Sequence, residues 1–96
     1  MTTVDGDPVP LFVDADGRAY LDGSGLPVLS RGRTYQLWGA TEQERVSLAV
    51  LGQAPGVEVF RLPGSVGSLA VTVESGGGVG SETSQSVAFA TIRPGD

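Results

Sequence analysis

Hydrophobic and polar positions along this chain alternate in short runs, and Gly, Pro or Asp interrupts each run before a helical period can develop. Such runs, rich in β-branched and aromatic residues, predict an all-β domain. VPLFV, residues 9–13, predicts a first strand, and Pro10 places it at a sheet edge. DADG, residues 14–17, is the turn and RAYL, residues 18–21, the return strand of a hairpin. DGSGLP, residues 22–27, is loop. RTYQLWG, residues 33–39, is the next strand, with Tyr35 and Leu37 facing one way and Gln36 and Trp38 the other.

ATEQER has helical propensity. Val46, Leu48 and Val50 then alternate with smaller residues until Gly52 stops the run, so residues 41–44 are expected as a hairpin loop between two strands. In VEVFRL, Val57, Val59 and Arg61 share one side and Glu58, Phe60 and Leu62 the other. SLAVTVE, residues 68–74, is nearly all apolar, as a central strand covered on both faces would be. GGGVGSETS, residues 76–84, reads as a Gly/Ser loop, and SVAFATI, residues 86–92, as the last strand. The tetrapeptide SLAV occurs at 47–50 and 68–71, but the similarity extends no further, so it is read as coincidence rather than a repeat. The expectation is one antiparallel β-sandwich of about seven strands, immunoglobulin-like in general architecture. It spans residues 9–93, between a flexible tail at 1–8 and a short tail at 94–96.

Composition narrows the chemistry. The chain has 96 residues, enough for one modest core, and 40% of them are hydrophobic. The formal net charge is −5, and all six basic residues are Arg, scattered singly. With no basic stripe, nucleic-acid binding and attraction to an anionic membrane are not expected. Cys and His are both absent, which removes disulfides, thiolate nucleophiles and the commonest general base and metal ligand. Lys and Asn, both with AT-rich codons, are absent too, which suggests a GC-rich genome. No apolar run approaches the roughly 20 residues of a membrane span. MTTVDGDP lacks the basic start and apolar run of a signal peptide. If the domain works outside the cytoplasm, an upstream segment is expected to carry it there, and Met1 need not then be the natural start.

The candidate sites each have an ordinary reading. Asp14, Asp16 and Gly17 resemble the start of a calcium loop, but Arg18 and Gly25 stand where that loop needs oxygen ligands, so the turn reading is preferred. The carboxylate pairs Asp5/Asp7 and Glu42/Glu44 fall in a tail and a loop, where solvation explains them better than glycosidase chemistry. Gly76–Gly80 has no Lys and no following helix to make a phosphate cradle. Serine nucleophiles lack a base and a G-x-S-x-G elbow. No catalytic residue, cofactor or metal site is expected, nor an enzyme. Trp38 and Tyr35 could bind a flat sugar or a peptide. Their alternation sends them to opposite faces, so a core role is preferred, with one aromatic between the sheets and the other on an outer face.

Two stretches together carry a resemblance. Gly32, Tyr35, Gln36, Leu37 and Trp38, then Gly52, then Ala70, Val71, Thr72 and Glu74 followed by Gly76 and Gly77, stand in order and at matching spacing. Thr83 and Val87 fall where a later Thr and a closing strand belong. This pattern resembles the C-terminal, extracytoplasmic domain of the anti-sigma-K family, membrane-spanning anti-sigma factors common in actinobacteria. Ser75 departs from the usual Pro, and the turn after Trp38 is more charged than usual.

The resemblance implies a non-catalytic regulatory domain. It would act on the outer side of the membrane, in a single-pass protein whose sigma factor is released by regulated proteolysis. The sigma factor would bind a cytoplasmic segment, and the membrane would be crossed by a helix, both outside this chain. The partner left for this domain would be a regulating protein or a protease, and a homodimer is compatible. Tyr35, Leu37, Val71 and Val73 are expected as framework, and Trp38 and Glu74 as residues that fix loops or an interface. The rival readings are a stand-alone module binding a glycan or peptide and a dimerising structural module.

Overall fold

The structure, a computed structural model, describes residues 1–76 and 86–92. The described residues form eight strands and no helix: β1 (Thr2–Thr3), β2 (Leu11–Val13), β3 (Arg18–Asp22), β4 (Arg33–Ala40), β5 (Arg45–Gly52), β6 (Val57–Arg61), β7 (Ser68–Ser75) and β8 (Ser86–Thr91). They make two antiparallel sheets, a five-stranded one in the order β1-β8-β7-β4-β5 and a three-stranded one in the order β2-β3-β6. This order matches the immunoglobulin arrangement, in which A, B and E face G, F, C and C′.

The inward positions build the core. Ala19 and Leu21 of β3 and Phe60 of β6 pack with Tyr35 and Leu37 of β4, Leu51 of β5, Leu69 and Val71 of β7 and Ala88 of β8. Loop residues Val9, Leu26, Leu62 and Val66 close the ends. Gly39 lets Leu48 and Val66 pack close to the strand, because a Cβ there would lie 3.0 Å from both Leu48 Cδ1 and Val66 Cγ2.

Local chemistry closes the turns. The Asp14 carboxylate accepts from the N–H groups of Asp16 at 2.9 Å and Arg18 at 3.0 Å, and Gly17 takes the left-handed φ of +82°. That carboxylate is therefore committed to shaping the β2–β3 turn. Thr41 plays the same part at the tip of the β4–β5 hairpin, where its Oγ1 accepts from the N–H groups of Gln43 and Glu44.

The eight strands among the described residues agree with the expected sandwich of about seven, and the additional one comes from the residues expected as a tail. Thr2 and Thr3 pair with Phe89 and Ala88 at the edge of β8. VDGD then turns back: Asp7 O accepts from Thr3 N at 2.8 Å, and Thr2 bridges Pro8. The cause is twofold. β8 offers an edge of unpaired backbone groups, and Gly6, at φ +90°, supplies a turn that the sequence already contains. β2 begins at Leu11 rather than Val9 because Pro8 and Pro10 have no N–H for a ladder. Val9 still contributes a buried side chain, and its N–H bonds Met1 O at 2.7 Å.

β5 departs from regular pairing at two places, with register shifts against β4 between Tyr35 and Gln36 and between Leu37 and Trp38. Such bulges twist an edge strand away from unwanted partners. Most of the Gly/Ser loop expected at 76–84 and the tail at 94–96 lie outside the described residues.

Leu37 is fully buried at the centre of the larger sheet. Leu37→Ala is expected to lower the unfolding free energy by about 3 kcal/mol in urea titrations, whereas Val50→Ala, on the exposed side of β5, shifts it by less than about 0.5 kcal/mol.

Candidate functional site

The two sequence motifs of the resemblance are neighbours in space. β4 and β7 pair in continuous register, with Thr34 opposite Glu74, Tyr35 opposite Val73, Gln36 opposite Thr72, Leu37 opposite Val71 and Trp38 opposite Ala70. The shared alternation sorts these residues onto two faces. Tyr35, Leu37 and Val71 point into the sandwich, with Val73 packed at its margin. Thr34, Gln36, Trp38, Ala70, Thr72 and Glu74 share the opposite, outer face of the sheet.

That outer face is unusual because its polar groups are buried. Thr34, Gln36, Thr72 and Glu74 are all shielded from solvent, and Trp38 keeps only 1% of its surface exposed. Their polar atoms are joined in a directed chain. The Trp38 indole Nε1–H donates to Thr72 Oγ1 at 2.9 Å, and the Thr72 hydroxyl donates to Glu74 Oε2 at 2.6 Å. An indole N–H can only donate, so it fixes the direction in which the hydroxyl proton points. Gln36 Nε2 donates to Ser47 Oγ at 2.7 Å and ties β4 to β5 across the same face. Thr34 Oγ1 donates to the Tyr35 carbonyl and accepts from Gly52 N–H at 2.9 Å. Gly52, at φ +87°, places its amide there.

Small neighbours make room for the indole. Trp38 lies between Ala70 on β7 and Ser47 on β5 in the ladder. An open groove of about 290 Å³ runs over this region, lined by Trp38, Ala40, Arg45, Ser68, Ala70 and Phe89 among others. The indole forms part of its wall. An aromatic stacking platform needs an exposed ring face, which Trp38 does not offer.

On the inner side, the Tyr35 hydroxyl donates to the Pro27 carbonyl at 2.6 Å, pinning the β3–β4 loop to the core. Burial pushes the Tyr35 phenol above its ordinary value. Gly76 closes the far end of the strand pair at φ +65°, its N–H bonded to Gly32 O at 2.8 Å. Gly77 lies outside the described residues. Among the described residues no group of three or more His, Cys, Asp or Glu is placed to hold a metal ion.

The sequence reading singled out the motif residues but not Ser47, the partner of Gln36 on β5. Its only signal was position: Ser47 shares a face with Val50 only after the bulge in β5 is known. Thr34 was likewise missed, although it precedes the motif directly.

The family description that matches is anti-sigma-K factor rskA, C-terminal, over residues 4–87. The chain belongs to this family. No curated protein and no solved structure matches it. The motif pair that carried the resemblance is thus the central strand pair of the larger sheet.

Thr72→Val keeps the shape of the side chain but leaves the buried indole N–H without its acceptor and removes one donor from Glu74. A loss of about 1–3 kcal/mol is expected in chemical denaturation, with Thr72→Ser recovering most of it. Tyr35 gives a second test. A phenol whose folded pKa is raised favours the neutral form, so its stability contribution is intact below about pH 10 and is lost as pH rises through the folded value. Comparison of pH–stability curves is expected to show a steeper alkaline fall in the wild type than in Tyr35→Phe.

Proposed function

We propose that this domain is the extracytoplasmic regulatory part of a single-pass membrane anti-sigma factor, and that it controls sigma-factor release by limiting proteolysis of the adjoining stalk. The observation that supports this most is the family match over residues 4–87. On this reading the domain is non-catalytic and works as a folded body. The sigma factor is held by a separate cytoplasmic segment, and a membrane helix joins the two.

The geometry is compatible with a steric role. The body measures 39 × 26 × 23 Å. A face about 25 Å across can cover roughly eight residues of extended chain at about 3.3 Å per residue. Endoproteases read extended peptide, so a body resting against the stalk denies them that segment, and moving or unfolding it exposes the segment. The buried chain through Trp38, Thr72 and Glu74 contributes by keeping the central strands in one register.

The test uses the native gene in its own cells. An antibody against this chain is expected to detect a membrane-fraction band well above 9.8 kDa. Leu37→Asp, which places a charge in the core, is expected to shorten that band and raise sigma-dependent transcription without a stimulus. A soluble band near 9.8 kDa, or intact protein and unchanged transcription in a variant shown to be unfolded, would remove this reading.

A further inference from the structure

The outer face of the three-stranded sheet has the opposite character from the face that carries Trp38. The registered row Phe12–Tyr20–Val59 crosses it, and Val57 lies beside this row on β6. Phe12 is 64% exposed, Val57 67% and Val59 58%. The Phe12 and Tyr20 rings meet with centroids 6.2 Å apart and planes tilted by 48°, so they form one surface. A groove of about 230 Å³ runs along it between Pro10, Phe12, Tyr20 and Val57. A contiguous exposed apolar row of this kind, framed by charge, is a candidate interaction site.

The charges decide the partner. Along β3 the outward positions are Arg18, Tyr20 and Asp22, two residues apart on one face. Arg61 on β6 lies opposite Arg18 and adds to the cationic end, while Asp22 stands at the other end opposite Val57. In the adjoining turn, Asp14 is committed to backbone N–H groups, and Arg61 Nη1 donates to the Asp16 carbonyl at 3.0 Å; Asp22 accepts from Ser24 N and Oγ through Oδ1 alone, which leaves Oδ2 to face outward. The face therefore runs from cationic through apolar to anionic along the strand direction.

We infer that this face binds a second copy of the chain, about a two-fold axis lying along the row Phe12–Tyr20–Val59. Two sheets can stack face to face with such an axis either along the strands or across them. An axis along the strands sets Arg18 against Arg18. An axis along the row reverses the strands, sets Arg18 against Asp22 of the other copy, and places Phe12, Tyr20 and Val59 each opposite itself. Like charges forbid the first arrangement and opposite charges favour the second. Three strands about 4.8 Å apart and five residues at about 3.3 Å give a footprint of roughly 240 Å², well below the roughly 800 Å² per partner of stable complexes. An association through this face alone is thus weak.

The chain has no cysteine, which makes a self-pairing test clean. Sedimentation equilibrium of the wild-type chain is expected to show monomer and dimer, and Val59→Lys to weaken the dimer at least tenfold while Phe89→Lys on the other sheet does not. Val59→Cys is expected to cross-link to itself under a short thiol reagent, and Val50→Cys is not. Arg18→Asp and Asp22→Arg are each expected to weaken self-association when alone and to restore it when mixed in equal amounts. Circular dichroism confirms that each variant is folded. A wild-type chain that stays monomeric at millimolar concentration would leave this face to a different partner and overturn the proposal. So would a dimer that Val59→Lys leaves intact, or a mixture that recovers nothing. None of these results bears on the anti-sigma reading, which rests on the family match.

Discussion

The domain depends on the pairing of β4 with β7. Eight consecutive residue pairs, from Arg33 opposite Ser75 to Ala40 opposite Ser68, hold the two longest central strands in one register. A slip by one residue would exchange the two faces of each strand. Leu37 and Val71 would turn outward, and Gln36 and Thr72 would be driven into a core with nothing to bond them. Both faces of the pair are buried, so the register is enforced from two sides: apolar packing on the inner face and directed hydrogen bonds on the outer one.

The two enforcing terms differ in what they contribute. Inner-face packing supplies most of the stabilisation, because burying Tyr35, Leu37 and Val71 is worth about 1.5–3 kcal/mol for each large side chain. The outer-face chain contributes less net energy, since each bond replaces one with water. Its penalty for error is large, because a misregistered Trp38 or Thr72 would leave a buried polar atom without a partner. The outer network therefore acts mainly on uniqueness, consistent with the role of fully satisfied polar networks elsewhere. Trp38 illustrates the division: its ring is packed between Ala70 and Ser47, and its one polar atom is spent on Thr72.

Much of this was legible in the sequence. Alternation alone put Tyr35 and Leu37 opposite Gln36 and Trp38, and it put Phe60 and Leu62 on the side opposite Val57 and Val59; the structure shows Phe60 and Leu62 buried and Val57 and Val59 exposed. It also indicated that SLAVTVE is central. What alternation does not carry is pairing between distant segments. The bond from Trp38 to Thr72 spans 34 positions, and nothing local to either residue announces it. β1 was not foreseen for a different reason. Residues 1–8 are polar and turn-rich, which reads as a tail until the free edge of β8 is known to lie beside them. Bulges were invisible for the same reason: the two extra residues in β5 are defined only against their partner strand.

The sandwich is asymmetric in a way that its core does not require. On the larger sheet, outward positions of the central strands are polar and buried. On the smaller sheet, outward Phe12, Val57 and Val59 are apolar and exposed between charged ends. Folding energetics favours neither choice, because a lone sheet face is more soluble with polar residues outward and bare backbone is satisfied by either. A stand-alone fold would be served by Thr or Gln at Phe12, Val57 and Val59, which keep strand geometry without exposing carbon to water. Aromatic and branched aliphatic side chains there cost solubility, and inside the fold they gain only the Phe12–Tyr20 ring contact and strand propensity. On the proposed self-association, they meet a second copy of the chain resting on β2, β3 and β6.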